Sequence, residues 1–454
     1  MKLWNFLKNH MMDTPDQRIC ESSAELSFEE AVIWAESFAK RLSGVHCCAI
    51  LCSSEMACAI SLLACFAADV TAVPLSMRYG QSHYNKILDT IGPDAIIMDN
   101  NGEISVYKIK DHQYIEPTTH PAIIMCTSGT TGKPKGAMLT EANIITNIND
   151  ISDYFDINEK DSILIARPIY HCAVLTGEFL TSLVKGVNIR FYSEKFNPSK
   201  ILDIIDTHKI STFCGTPTLI SMLSKFDRGS RLKSLKHICI SGECMGIETG
   251  KKIYDAFPTC EIYHVYGLTE ACPRVSFLPP KYFYEYPDCV GIPLKSISVK
   301  IINESGNLCK NNEEGLLWIK GKNVMSGYYN DSEQTKKAIR DEWLCTGDVA
   351  IINDAGFMKI KGRYDELIIK SGLNVYPSEI ESALKQDDRV KEAFVYGFQT
   401  ALGVQIGLKI SGNFKSADEV KSLCIKVLPS FHVPSKIDLF DELPKTCSGK
   451  ILRR

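Results

Sequence analysis

The stretch that decides the fold reads Thr127-Ser128-Gly129-Thr130-Thr131-Gly132-Lys133-Pro134-Lys135-Gly136. An apolar run over residues 122–126 precedes it and predicts a short buried strand. Glycine adopts backbone conformations that other residues avoid, so such a loop can turn several N–H groups toward one anion. The hydroxyl groups and the two lysines favour a polyphosphate as that anion. The competing interpretation is a surface turn, because Gly and Ser are common in turns generally.

The loop differs from a Walker A motif, which requires Gly, four residues and then Gly-Lys-Ser/Thr. Thr127 stands where the first glycine would be, and Pro134 follows Lys133. The sequence therefore predicts phosphate binding without the Walker geometry.

Composition indicates an ordinary soluble protein of more than one domain. The chain has 454 residues, 45% hydrophobic and 23% charged, with a formal net charge of −3. This balance, without a basic block, gives no reason to expect a nucleic-acid partner. The longest charge-free apolar run, residues 56–68, is too short to span a bilayer, and no signal peptide is expected. The 18 cysteines form no C-x-x-C pair and are expected to be reduced, so the predicted location is cytoplasmic.

Three patterns of predicted secondary structure follow one another along the chain. From residue 28 to about residue 240, helical segments alternate with short β-rich runs, which predicts a covered and largely parallel sheet. From about residue 291, β runs separated by Asn/Gly-rich turns predict an antiparallel module. A small α+β tail begins near residue 362. We place a domain boundary between Tyr364 and Asp365, giving domains of residues 1–364 and 365–454.

Four further motifs carry groups suited to nucleotide chemistry. Residues 265–270 offer a flat ring at Tyr266 for a purine and a hard carboxylate oxygen at Glu270 for Mg²⁺. Asp348 ends the run over residues 343–348, and its carboxylate can accept hydrogen bonds from both ribose hydroxyls. The plain interpretation of residues 265–270 is a strand end with an exposed acid, and that of Asp348 is an ordinary turn residue. Residues 370–381 form the third motif, whose plain interpretation is a strand-to-helix turn. Residues 444–450 form the fourth, whose plain interpretation is a solvated chain terminus.

Together, these motifs resemble those of the adenylate-forming superfamily, which contains acyl-CoA synthetases, aryl-CoA ligases, peptide-synthetase adenylation domains and luciferases. The resemblance runs from the phosphate loop to the end of the chain and is generic before residue 122. It implies an α/β fold. A large N-terminal domain of two α/β subdomains plus a β-barrel would precede a small mobile α+β C-terminal domain.

The resemblance also implies roles for individual residues. Tyr266 would lie against the adenine, Thr269 near the α-phosphate and Glu270 on the metal, while Asp348 and Arg363 would hold the ribose. Gly267 is also assigned to the nucleotide-binding residues. Lys450 would be catalytic, bridging substrate carboxylate and nucleotide. Gly372 would let a pantetheine arm pass close to the backbone. The predicted nucleotide-binding positions of the loop are Thr127, Ser128, Gly129, Thr130, Thr131, Gly132 and Lys133.

The acid-binding side departs from common family patterns. Residues 241–244 read Ser-Gly-Glu-Cys where many members have a Gly-Gly or Gly-Ala pair, so Gly242, Glu243 and Cys244 are assigned to the site. Glu243 there puts a purely apolar tunnel in doubt. Residues 167–174 lack the Asp that amino-acid-activating domains place for the α-amine, which favours a plain carboxylic acid. His171 would gate the pocket, although a lone His is more often structural.

The leading prediction is ATP- and Mg²⁺-dependent activation of a carboxylic acid to an acyl-adenylate, with release of pyrophosphate and transfer to coenzyme A. One alternative is a stand-alone adenylating enzyme that loads the phosphopantetheine of an acyl carrier protein. An alternative of another class is a catalytically silent nucleotide-binding protein, against which intact Lys450, Glu270 and Asp348 count.

Overall fold

The computed structural model describes residues 1–77, 80–100, 102–109, 113–128, 134–194, 197–226, 231–370, 373–400, 403–445 and 451, without the side chains of Thr127 and Ser128. Up to residue 293 it contains the strands β1 (Arg18–Glu21), β2 (Ala24–Ser27), β3 (Cys47–Leu51), β4 (Thr71–Pro74), β5 (Ala95–Asn100), β6 (Glu103–Lys108), β7 (Ile123–Ser128), β8 (Pro134–Leu139), β9 (Ser162–Ile165), β10 (Asn188–Phe191), β11 (Thr212–Gly215), β12 (His237–Ile240), β13 (Glu261–Gly267), β14 (Arg274–Leu278) and β15 (Ile292–Pro293).

The remaining strands are β16 (Ile297–Ile302), β17 (Gly315–Gly321), β18 (Gly327–Tyr328), β19 (Ile339–Arg340), β20 (Trp343–Ile352), β21 (Met358–Arg363), β22 (Ile368–Lys370), β23 (Leu373–Val375), β24 (Val390–Thr400), β25 (Gly403–Gly412) and β26 (Lys436–Phe440). The α-helices are α1 (Leu3–Asp13), α2 (Phe28–Ala39), α3 (Glu55–Ala67), α4 (Gln81–Ile91), α5 (Glu141–Tyr154), α6 (Cys172–Val174), α7 (Thr181–Val184), α8 (Pro198–Thr207), α9 (Pro217–Phe226), α10 (Ile247–Ala256), α11 (Ser332–Ala338), α12 (Pro377–Leu384) and α13 (Ala417–Val427).

Two mixed sheets form the large N-terminal part. One has the order β18-β8-β7-β4-β3-β5-β6, and the other has the order β15-β14-β13-β12-β11-β9-β10-β1-β2. The pairs from β1 and β10 across to β12 and β13 are parallel, and so are those joining β3 to β4 and β5. One hydrophobic core packs against both sheets and includes the helices α1, α2, α3 and α5. The predicted α/β class is confirmed.

Local sequence explains where several helices begin. Ser27 caps α2 and forms a capping box with Glu30, while Thr140 does the same for α5 with Asn143. Asn197 caps α8, whose first residue is Pro198, a residue that suits this position because its missing N–H would be unpaired there anyway. The charge-free apolar run over residues 56–68 forms most of α3, of which residues 55–66 are buried.

The antiparallel module is a five-stranded sheet of order β16-β17-β20-β19 with β21 paired to β20, and this is the region where the resemblance implied a barrel. The small C-terminal part contains the sheets β22-β23 and β24-β25-β26 with α12 and α13, and it has a hydrophobic core of its own. A large N-terminal part followed by a smaller C-terminal part is therefore confirmed. The boundary after Tyr364 stays a prediction, and it lies in a short 3₁₀ helix, Tyr364–Glu366.

No helix in the described residues is both long and apolar enough to cross a membrane. All cysteines within those residues are free thiols, and most are buried.

Candidate active site

The phosphate-loop stretch connects two antiparallel strands, β7 and β8, at the edge of the seven-stranded sheet. In the register of these strands, Thr127 faces Lys135 and Ser128 faces Pro134. Residues 129–133, which include Gly129, Thr130, Thr131, Gly132 and Lys133, lie outside the described residues. Lys135 Nζ donates to Oε1 of Gln334 over 3.2 Å and lies 5.3 Å from the ring centre of Tyr328. The exit of the loop is thus tied to α11 and β18.

The Tyr-Gly-Leu-Thr-Glu motif straddles the end of β13. The strand continues through Gly267, because Tyr266 and Gly267 pair with Ser276 and Arg274 of β14. A Cβ on Gly267 would lie 2.0 Å from the carbonyl oxygen of Pro273, so this position has no room for a side chain. A 3₁₀ helix, Thr269–Ala271, follows and carries Glu270.

Asp348 and Arg363, the two predicted ribose contacts, lie next to Tyr266. They face each other across β20 and β21, with Arg363 Nη1 3.4 Å from Oδ1 of Asp348. Tyr266 donates its O–H to the other carboxylate oxygen, Oδ2. Burial raises the pKa of Asp348 above its ordinary 3.8, and the Arg363 cation opposes that shift. A deeply placed acceptor with an arginine beside it is suited to hold paired hydroxyl groups.

Glu270 has a partner that the sequence analysis missed. Tyr328 donates its O–H to Oε1 of Glu270 over 2.8 Å, and burial, then the Glu270 charge, hold the pKa of Tyr328 well above its ordinary value. Glu270 also acts electrostatically on Asp348. Tyr328 follows Gly327 in the two-residue strand β18 and belongs to no recognisable motif, so only the pairing of β18 with β8 reveals it.

The described residues contain no group of three or more His, Cys, Asp or Glu side chains that could hold a metal ion. Glu270 nevertheless fits Mg²⁺, because this ion is usually held by one or two carboxylates together with substrate phosphates and water. Its Oε1 accepts from Tyr328, which fixes the direction of the carboxylate.

The two segments predicted to bind the acid lie at the carboxyl ends of β9 and β12. His171 precedes α6 and packs against the ring of Tyr170 at 4.5 Å. Gly242 has a φ of +92°, a conformation that favours glycine, and Oε2 of Glu243 accepts a hydrogen bond from Thr218 at 2.7 Å. Cys244 is exposed. The carboxylate of Glu243 is therefore hydrogen-bonded to the start of α9.

The C-terminal part contacts the large part through α12. Tyr376 donates to Oε2 of Glu314 over 2.7 Å, Gln386 donates to Thr249, and Ser378 donates to the carbonyl of Lys361. Gly372 and Lys450 lie outside the described residues, so their predicted roles stay predictions.

Comparison with known proteins agrees with this arrangement. Residues 7–329 match the family model "AMP-binding enzyme", and residues 379–450 match "AMP-binding enzyme C-terminal domain". A long-chain-fatty-acid–CoA ligase of Haemophilus influenzae is 31% identical over 363 residues, which cover 76% of this chain and 63% of the relative. A feruloyl-CoA synthase of Amycolatopsis is 28% identical, with 87% of this chain and 84% of the relative covered.

Solved structures of an O-succinylbenzoate coenzyme A synthetase from Bacillus subtilis are similar over the whole chain. The complex with ATP and magnesium ion has a TM-score of 0.87 at 26% identity and covers 99% of this chain and 98% of that one. A double mutant bound with its product analogue OSB-NCoA covers 99% and 97% at the same identity, but its TM-score is 0.72. The present chain is thus more similar to the ATP complex.

Proposed function

Since the chain belongs to the family of AMP-binding enzymes, we propose that it is an AMP-forming acid–CoA ligase. The relatives are acid–CoA ligases, which supports adenylate-forming, ATP-dependent CoA ligation. ATP, magnesium ion and CoA are the cofactors and cosubstrates that these relatives indicate. The aligned region spans only 63% of the Haemophilus relative, so activity and acceptor are proposed for this chain.

The observation that carries the proposal is the convergence of Tyr266, Asp348 and Arg363 from three strands, with Glu270 nearby in the 3₁₀ helix that follows β13. Tyr266 and Gly267 would hold the adenine, and Asp348 with Arg363 would hold the ribose. The loop of residues 127–133 would bind the phosphates with its N–H groups and Lys133. A Mg²⁺ ion at Glu270 would supply charge stabilisation to the phosphate oxygens.

Two steps would then share the site. In the first, a carboxylate oxygen of the acid attacks the α-phosphorus and pyrophosphate leaves, while Thr269 and Lys450 stabilise the charge on the α-phosphate. His171 would gate the acid pocket formed with residues 242–244. In the second, the CoA thiol attacks the acyl carbonyl, loses its proton and expels AMP, with the backbone at Gly372 lining the pantetheine path.

We also propose a cytoplasmic location, which the many unpaired thiols support. The small-molecule partner is a carboxylic acid, and the relatives' names span a long-chain fatty acid and ferulate, so they leave its identity open.

The experiment is ATP–pyrophosphate exchange over a panel of carboxylic acids, followed by thioester assay with CoA and with phosphopantetheinylated carrier proteins. Acid-dependent exchange with AMP as product supports the proposal. Formation of ADP, or exchange that ignores every acid, contradicts it. Transfer to a carrier protein alone would identify the carrier-loading alternative.

A further inference from the structure

One buried arginine, Arg274, and one partly buried arginine, Arg167, lie beside the buried carboxylate of Glu178 near the carboxyl ends of β9, β12 and β13. Glu178 is 1% exposed and Arg274 is 2% exposed, while the side chain of Arg167 is 16% exposed. Arg167 Nη2 donates to Oε1 of Glu178. Glu178 lies in a π-helical turn, Leu175–Leu180, between α6 and α7, and such turns often occur at functional sites.

The charges in this cluster do not balance. Glu178 is ion-paired with Arg167, whereas no described carboxylate lies within 4.0 Å of Arg274. The hydrogen-bonding neighbours of the Arg274 guanidinium are a thiol and a phenol: Nη2 lies 3.5 Å from the thiol of Cys239, and the hydroxyl of Tyr154 interacts with the guanidinium as well. A buried charge without a partner is strongly unfavourable. The cluster therefore lacks one negative charge.

Unused hydrogen-bonding groups point to the same deficit. Among the buried side-chain atoms without a hydrogen-bond partner in the described structure are Nε of Arg167, Nε of Arg274, Oγ1 of Thr176 and Oε2 of Glu178. The first three can donate, so the cluster offers more donors than acceptors. Buried polar groups are normally paired, and a ligand rich in acceptor oxygens would pair these.

The cluster adjoins the segments assigned to the acid. Arg167 Nη1 lies 3.4 Å from Oγ of Ser241, which begins the Ser-Gly-Glu-Cys segment. Arg274 faces Gly267 of the Tyr-Gly-Leu-Thr-Glu motif across β13 and β14. Burial raises the pKa of the Cys172 thiol, next to His171; the Glu270 charge adds to that shift and the Arg274 charge opposes it. The cluster therefore adjoins both the Ser-Gly-Glu-Cys segment and the Tyr-Gly-Leu-Thr-Glu motif.

A thiolate on Cys239 is the internal candidate for the missing anion. A hydrogen bond from Cys214 and, against the effect of burial, the Arg274 charge lower the pKa of the Cys239 thiol to about 7. A thiolate would satisfy part of the charge in the free protein. It would leave the Nε groups and Thr176 unpaired, because these donors have no recorded contact with it.

We propose that Arg167, Thr176, Glu178 and Arg274 form a subsite, the second-carboxylate site, which makes the enzyme selective for dicarboxylic acids. The inference rests on the proposed acid–CoA ligase function. A carboxylate matches the planar guanidinium with two parallel hydrogen bonds and brings the one negative charge that is missing. A phosphate dianion would overcompensate that charge.

The test begins with the wild-type enzyme and acids that differ by one carboxylate. The pairs are succinate and butyrate, glutarate and valerate, adipate and caproate, and 3-(2-carboxyphenyl)propionate and 3-phenylpropionate. We expect kcat/KM for ATP–pyrophosphate exchange to be at least tenfold higher for the dicarboxylate in at least one pair. Equal or higher values for every monocarboxylate would overturn the proposal, without need of any variant.

The variant Arg274→Met keeps the length of the side chain and removes the charge. It should lose the preference for the dicarboxylate mainly through KM, and its Tm without ligand should equal or exceed that of the wild type, because an uncompensated charge is gone. Arg340→Met, at an exposed arginine of β19, is the matched control and should keep both values. Cys239→Ala removes the internal anion and should keep or increase the preference.

A measurement of acid binding distinguishes the second-carboxylate site from the proposed ligase function. If no acid supports exchange but the preferred dicarboxylate still raises the Tm of the wild type and not of Arg274→Met, the second-carboxylate site stands and the ligase function fails. Exchange with monocarboxylates alone sustains the ligase function and overturns the site. Neither exchange nor stabilisation with any acid overturns both. If Arg274→Met does not fold, the same comparison is made with Arg167→Met and with the acid pairs in the wild-type enzyme.

Discussion

Tyr328 Oη lies 2.8 Å from Oε1 of Glu270 and donates a hydrogen bond to it, although Tyr328 belongs to the seven-stranded sheet and Glu270 to the 3₁₀ helix that follows β13 of the nine-stranded sheet. Tyr328 belongs to β18, which pairs with β8, the strand that leaves the phosphate loop. The ring also lies 5.3 Å from Nζ of Lys135. One tyrosine therefore links the proposed phosphate loop to the proposed metal-binding carboxylate.

We expect Tyr328→Phe to raise the Mg²⁺ concentration needed for half-maximal exchange by about tenfold. A hydrogen bond to a charged group contributes about 1.5 kcal/mol, which corresponds to roughly that factor. The ring beneath Lys135 is kept, so the KM for the acid should change little. Mg²⁺ titrations of pyrophosphate exchange provide the measurement.

The neighbouring Tyr329 supplies the matched control. Its hydroxyl contacts the backbone of Ile115 instead of the site. Tyr329→Phe should lower the Tm while leaving the Mg²⁺ requirement unchanged. Equal Mg²⁺ curves for both variants and the wild type would show that Tyr328 does not position Glu270.

Asp348 predicts the pH dependence of ATP binding. Burial raises its pKa in the folded protein, so the carboxylate takes up a proton at a higher pH than an ordinary Asp. Ribose binding needs the ionised acceptor and should weaken as the pH falls through that raised pKa. For stability the sign is opposite. The ionised group disfavours the fold above its folded pKa, and this cost disappears on acidification.

The measurement is KM for ATP against pH in the wild type and in Asp348→Asn. The wild type should show a rising KM toward acid, while the variant should have a high and flat KM. A wild-type profile identical in shape to that of Asp348→Asn would assign the titration to another group.

The sequence predicted the helices and strands well where patterns are local. The strand predicted from the apolar run over residues 122–126 is β7, with ends shifted by one and two residues, and helices and short strands follow one another from residue 28 to about residue 240. The motifs around Tyr266, Asp348 and Arg363 are recognisable in the sequence, so these residues could be predicted as nucleotide contacts. Tyr328 and the Arg167–Glu178–Arg274 cluster could not be predicted, since their meaning arises from pairing between distant segments.

Gly267 tests how closely the motif is packed. Its Cβ would approach the backbone oxygen of Pro273 to 2.0 Å, and a backbone atom cannot rotate away. We expect Gly267→Ala to reduce the free energy of unfolding by about 3 kcal/mol. Gly306→Ala, with a φ of +81° and open space around it, should cost only about 1 kcal/mol. Denaturant unfolding of both variants compares them, and equal losses would contradict the packing argument.

Lys450 is expected to act in the first step only. Lys450→Ala should abolish acid-dependent pyrophosphate exchange, because its cation would offset charge on the α-phosphate. Thioester formation from a synthetic acyl-adenylate and CoA should persist at near wild-type rate. Lys436→Ala, at an exposed lysine of β26 in the same part of the chain, should leave both rates unchanged. Loss of both half-reactions in Lys450→Ala alone would refute the division.

The last prediction concerns the joint between the two parts of the chain. Lys450 and the segment around Gly372 would serve successive steps at one acyl carbonyl, which requires the C-terminal part to move between steps. The similarity to the ATP complex of the Bacillus subtilis enzyme exceeds that to its product-analogue complex, with TM-scores of 0.87 and 0.72. The present arrangement, with α12 against Lys361 and Glu314, would then be the one for adenylation.

Asp365 lies in the 3₁₀ helix that joins the two parts, and Arg363 Nε is 3.4 Å from its Oδ1. Proline fixes φ near −65°, a value that 3₁₀ helices already have, so Asp365→Pro should fit the present arrangement and resist any other. We expect pyrophosphate exchange to persist while thioester formation from preformed acyl-adenylate falls by about a hundredfold or more. Asp365→Ala removes the same carboxylate but leaves φ free, and it should support both steps. Normal thioester formation in a folded Asp365→Pro protein would place the hinge elsewhere, because a joint whose φ must change cannot work with proline.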